Sequence, residues 1–289
     1  MVYSELVDEP IDTAMGLTNA LFFSLAPLYQ ENFGQEQEVT VPLFTMLHST
    51  SSTILSLLSE EMALPDADVL LRTVMEGTVK YCYLMNGTPE ERKDKYEEYR
   101  FALYEMEMLS DHNKALETLE IFKEFSVENS TVPFEANILP DDYLIGLRSK
   151  YTKKQRDEIK RKWTYQAMLR SLAKDKPEYK AQLGSLSTYA STSHYAHFDW
   201  TGLSTRHLQL KANAYDTDAH YDVVHAFRII SNILSFSIFR AWEYTNVYGI
   251  KSQETHHILG KMVKEVRDLD AFANKVLSDL GHQTAKPDA

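Results

Sequence analysis

Between Thr88 and Phe125 the chain runs TPEERKDKYEEYRFALYEMEMLSDHNKALETLEIFKEF, with no glycine and no proline beyond Pro89. Thr88 is a good helix N-cap, Pro89 suits the first helical position, and acidic residues fill the first turn. No period-two alternation interrupts the stretch, so it predicts one long helix or two collinear ones. Such a segment has to bury its apolar face against other helices. The composition agrees, with only 10 glycines and 9 prolines in 289 residues and 44% apolar side chains. These values favour an all-α fold and argue against an all-β one.

Apolar periodicity and capping residues predict further helices over about 12–31, 41–63, 66–86, 151–162, 164–175, 177–197, 218–248 and 252–280. The expected architecture is a single helical-bundle domain, 1–289, of about nine helices. Long loops are expected near 126–142, where SVENSTVPFEANILPDD holds two prolines and no helical period, and over 198–216; the tail after 280 should fray. Cys82 is the one cysteine, so no internal disulfide forms, and the chain does not open with the basic, apolar and small-residue order of a secretion signal. The most apolar late stretch, IISNILSFSIF, is too short to cross a bilayer. A cytoplasmic protein without a membrane partner is expected, self-associating as a homo-oligomer through an amphipathic helix face.

The net charge of −12 is unevenly spread: Arg148 to Lys180 carries a local +8, leaving −20 elsewhere. Two readings stand. One is a solvated helix pair. The other is a landing surface for RNA, a nucleotide or an acidic protein, with Lys153, Lys154, Arg161, Lys162, Trp163 and Arg170 as candidate phosphate or nucleic-acid contacts, because KRKWTYQAMLR mixes cations with aromatic rings.

VLLRTVMEGTVKYCYLM is apolar nearly all round, which marks a core helix, yet Arg72 and Glu76 interrupt it four residues apart. Charges leaving water need partners from another helix. Tyr189, Ser193 and His197 follow at i, i+4 and i+8 of a second helix, with His194 beside them, and can supply those partners. Three readings are open: a satisfied buried network, a catalytic centre, or a metal site. In the catalytic reading His197 is the acid or base, Glu76 orients it and Arg72 holds phosphate. The fallback metal ligands are His194, His197, Glu254 and His257, but only one Glu-x-x-His pair is evident, so no metal and no other cofactor is expected. His220 and His225, five apart, read as surface or capping residues. No phosphate-cradling glycine loop, nucleophile elbow or HExxH is found.

LLRTVMEGTVKYCYLM, RKDKYEEY, the lone Trp163 and YASTSHYAHFD together resemble a family of uncharacterised bacterial all-helical proteins. That family carries an Arg-Ser/Thr-x-x-Glu helix and a downstream Tyr…Ser-x-x-x-His helix; the likeness covers about Leu70 to Asp199. It implies that Arg72, Glu76, Tyr189, Ser193 and His197 belong to one motif. Such families are similar to helical nuclease-like toxins and abortive-infection proteins. Those usually carry Arg followed by four to six residues and His, whereas the nearest approach here is Lys251 before His256. The resemblance itself implies no established reaction; the leading reading of the residues is a defence- or toxin-type effector acting on RNA or a nucleotide by metal-independent acid–base chemistry. The alternative is a non-enzymatic regulatory or scaffold protein in which the same residues form a buried knot.

Overall fold

Tyr3, Val7, Ile11, Ala14 and Leu21 are buried at helical spacing, and this stripe carries the first helix, α1 (Tyr3–Leu25), straight through Pro10. The helix therefore begins well before the predicted residue 12. Proline removes one helical hydrogen bond, and burial of the stripe offsets it, aided by Tyr3 Oη donating to the Leu58 carbonyl at 2.9 Å. The computed structural model describes residues 3–25, 36–126, 132–197, 199–204, 207 and 219–284. Most of the expected 198–216 loop and the tail past Thr284 lie outside those residues.

The fold is all-α. Among the described residues there are eleven α-helices and no strand, besides single turns at Val132–Glu135 and 200–204. After α1 come α2 (Gln37–Leu57), α3 (Leu64–Met85), α4 (Pro89–Glu97) and α5 (Tyr104–Glu124). Next are α6 (Asp141–Lys150), α7 (Lys153–Lys162), α8 (Tyr165–Asp175), α9 (Ser185–Ala196), α10 (Ala219–Tyr248) and α11 (Gln253–Thr284). The number exceeds the expected nine for two reasons. A π-helical turn, Glu98–Leu103, divides the long stretch into α4 and α5. Asp141–Lys150 forms a helix that buries Leu144 and Leu147, with acidic residues in its first turn and basic ones in its last, as the helix dipole favours.

The chain divides into two units. The first comprises residues 1–86 and 169–289. Its centre is α10, packed against α1, α3 and α11, while α2 and α9 pack on α3. The span Tyr221–Tyr248 is long and apolar enough to cross a membrane by length and composition, but 67% of its most apolar window is buried inside the protein, as in a core helix. It also buries two charges. Arg240 donates to Thr78 Oγ1 at 2.5 Å and Ser237 Oγ at 2.9 Å; Glu243 accepts from Lys176 Nζ at 2.7 Å and Tyr179 Oη at 2.8 Å. Glu243 thus has the cation and hydroxyl that burial demands, whereas Arg240 is held by two hydroxyls while its Nε finds no hydrogen-bond partner among the described residues.

The second unit comprises residues 87–168. Thr88 and Thr152 both form capping boxes, with Glu91 and Gln155. Trp163, which follows α7, is buried against the π turn, its indole donating to Glu98 Oε1 at 2.5 Å and its ring 5.3 Å from that of Tyr99. His112 of α5 is buried and accepts a hydrogen bond from the Leu139 amide at 3.1 Å, tying down the segment expected to be a loop.

Candidate functional site

α3 carries Asp68, Arg72 and Glu76 one turn apart, and α9 lies over them. Arg72 Nη1 donates to Ser193 Oγ at 2.6 Å, Nη2 to Tyr189 Oη at 3.2 Å, and its guanidinium sits 4.5 Å over the Tyr189 ring. Tyr189 in turn donates to Glu76 Oε2 at 3.1 Å. The docking expected from the sequence is therefore present for Arg72, Glu76, Tyr189 and Ser193.

His197 stands apart from that group. It is the C-cap of α9, its side chain is exposed, and it makes no side-chain hydrogen bond among the described residues. The reason is helical drift: each four-residue step rotates about 40°, so i+8 lies roughly 80° round from Tyr189. The pairing of His197 with Glu76 drawn from the sequence is thus replaced. The histidine that meets a carboxylate here is His194, whose Nδ1 is 2.6 Å from Asp199 Oδ2. That bond, followed by the Gly202 amide, lowers the Asp199 pKa, and both side chains are about half-exposed. The turn comes so close to α9 that a Cβ on Gly202 would lie 2.6 Å from the His194 carbonyl oxygen.

On the far side of α9 is a cavity of about 510 Å³, lined wholly by residues of the first unit. α9 contributes Ser187, Thr188, Ser191, Thr192 and Tyr195, a face roughly opposite Tyr189 and Ser193 by helical rotation. α10 contributes His225, Arg228, Asn232 and Ser235 at successive turns; α3 contributes Asp68, and α11 contributes Asp270. The buried Asp68 carboxylate lies 2.8 Å from His225 Nε2. Burial pushes the His225 pKa down, but the Asp68 hydrogen bond and charge, with Asp222, outweigh it and hold the imidazole above its usual value, against the opposing charge of Arg228. His225 keeps 35% of its side chain accessible, as a cavity wall residue does. The surface or capping role expected for it is overturned by its buried carboxylate partner. His220 has no described side chain.

Part of the basic segment is compensated. Lys150 bonds Glu105 at 2.6 Å, Lys162 bonds Glu98 at 2.9 Å, Lys154 lies 3.9 Å from Glu158, and Lys176 meets Glu243. Lys153, Lys154 and Arg161 line a depression of about 570 Å³ together with Asp157 and Glu158. Trp163 is corrected as a stacking residue: it is 6% exposed, because its ring fills the corner beside Glu98 and Tyr99. Arg170 is exposed on α8. Cys82 is sealed in the core, and burial pushes its thiol up to about 12, which leaves no nucleophile there.

Among the described residues no group of three or more His, Cys, Asp or Glu is placed to hold a metal ion. Glu254 and His257, the other fallback ligands, are exposed near the start of α11. The fold and site define an all-helical protein with an Asp–His pair set in a polar cavity. The chain belongs to DUF5677, a family of unknown function, whose profile matches residues 37–215. That span takes in Asp68, Arg72 and α9, and ends before His225 and Arg228. No curated protein and no solved structure matches the chain.

Proposed function

We propose that the cavity bordered by α3, α9 and α10 is where this chain acts on RNA or a nucleotide by acid–base chemistry of its own side chains, as an effector of the defence or toxin type. The observation that carries this reading is the 2.8 Å contact of buried Asp68 with His225 on a cavity wall shared with Arg228. Asp68 occupies Nε2, so proton exchange falls to Nδ1, which makes no hydrogen bond among the described residues. In the neutral ring Nδ1 accepts the proton of an attacking water or ribose hydroxyl; in the protonated ring it returns a proton to the leaving oxygen. Arg228 offsets the charge on phosphate.

The test is product analysis after incubating the full-length protein with single-stranded RNA and, separately, with nucleotides. Asp68→Asn and His225→Asn should each lower turnover by about 100-fold or more. Turnover retained by both variants would overturn the reading.

A second reading has its own support. Arg72, Glu76, Tyr189 and Ser193 satisfy one another across two helices, as a register-fixing network in a non-enzymatic scaffold would. In that case their substitution acts through stability.

A further inference from the structure

Three properties of the cavity bear on which of the two substrate classes it takes. Its size, about 510 Å³, lies in the range of pockets that enclose a single small molecule. Its positive charge is sparse: besides the His225 imidazole, Arg228 is the one cation among the described lining residues, and none of the lysines and arginines of the basic segment lines it. A strand binder tracks several phosphates with a row of cations and stacks bases on exposed rings. Here the lining holds one aromatic ring, Tyr195, and the Asp270 carboxylate would repel a second phosphate.

The third property is unspent hydrogen-bonding capacity. Ser187 and Thr188 on α9, and Asn232 and Ser235 on α10, make no side-chain hydrogen bond among the described residues. Arg228 forms no hydrogen bond or ion pair there either. Asp270 Oδ1 accepts from Ser231 Oγ at 2.8 Å, which leaves its second oxygen able to accept from a hydroxyl. Side chains of this kind on two facing helices suit a ligand that is itself rich in hydroxyls.

Resting on the reading of this cavity as the site of action, we infer that its substrate class is a monomer with a single phosphate on a hydroxyl-rich body, a sugar phosphate or nucleoside monophosphate, and not an RNA strand. Arg228 takes the phosphate, beside the His225 ring on the same wall. Asn232, Ser235, Ser187 and Thr188 take the hydroxyls.

Calorimetric titration of the full-length protein with ribose 5-phosphate, AMP, ribose and a single-stranded RNA oligomer tests this. Ribose 5-phosphate and AMP should bind, with ribose at least about tenfold weaker because it lacks the group that Arg228 recognises. Arg228→Ala should weaken ribose 5-phosphate at least about tenfold. Lys123→Ala, outside the cavity, should leave it unchanged. Arg228 and Lys123 are both exposed, so these variants should fold, and their melting temperatures verify it. Binding of the RNA oligomer with the monomers silent, lost in His225→Asn, would overturn the inference and leave the acid–base reading standing. Binding by none of the four would overturn both.

Discussion

His225 and His48 titrate away from ordinary imidazole in opposite directions, and each leaves its own mark on the pH dependence of stability. His48 is held down to about 4, first by burial and then by the Arg240 charge, with its ring stacked 4.2 Å from Phe22. Between its unfolded value of about 6.5 and that folded value, the unfolded chain binds a proton that the folded chain does not. Stability is therefore lost as pH falls through that window, and His48→Phe should remove this part of the acid limb. His225 behaves in the reverse sense. Its folded pKa is raised, so its pairing with Asp68 is fully stabilising below about pH 6.5 and is lost as pH rises through the folded value. Melting temperature followed against pH should show His225→Asn flattening the upper limb and leaving the acid limb in place. The same limb flattened by both variants would contradict these assignments.

At the scale of elements, the two sides of α9 do different work. Its Tyr189 and Ser193 face is fastened by Arg72, and the opposite face forms a wall of the cavity. Arg72→Ala should destabilise the protein by about 1–3 kcal/mol, since it removes two charge-assisted bonds to half-buried hydroxyls. Glu76→Gln keeps an acceptor oxygen for Tyr189 and should cost less than about 1 kcal/mol. Chemical denaturation gives both values, and the reverse order would mean that Glu76, not Arg72, secures the helix. This fastening was legible in the sequence, because charges four residues apart in an apolar helix call for polar partners at matching spacing. Asp68 lies on the same stripe, one turn earlier, and extending the pattern backwards would have found it. Its partner His225 is 157 residues away. On α10 the sequence signal was faint: His225, Arg228, Asn232 and Ser235 follow the helical period within a mostly apolar run, and the apolar pattern dominates the reading. His197 misled because spacing of four does not close on 3.6 residues per turn.

For the whole molecule, fold class was readable from composition and periodicity, since few glycines and prolines leave little besides helices. The division at Asn86/Gly87 and Met168/Leu169 was not, because the second boundary lies inside α8, where no breaker marks it. The buried Arg240 and Glu243 were hidden for a related reason: their partners Thr78, Lys176 and Tyr179 are far away in sequence. Charge counted along the chain also overstated the basic surface, since Lys150, Lys162 and Lys176 pair with Glu105, Glu98 and Glu243 from outside the segment. The described residues instead hold a polar cavity with a carboxylate-held imidazole, the site proposed above. The most direct test of that account is an NMR titration of the histidine rings in the full-length protein with and without inorganic phosphate. With Asp68 as its partner, His225 should titrate above ordinary imidazole, higher still with phosphate and lower in Asp68→Asn. A His225 ring indifferent to both phosphate and Asp68→Asn, with His197 or His194 responding to phosphate in its place, would contradict it.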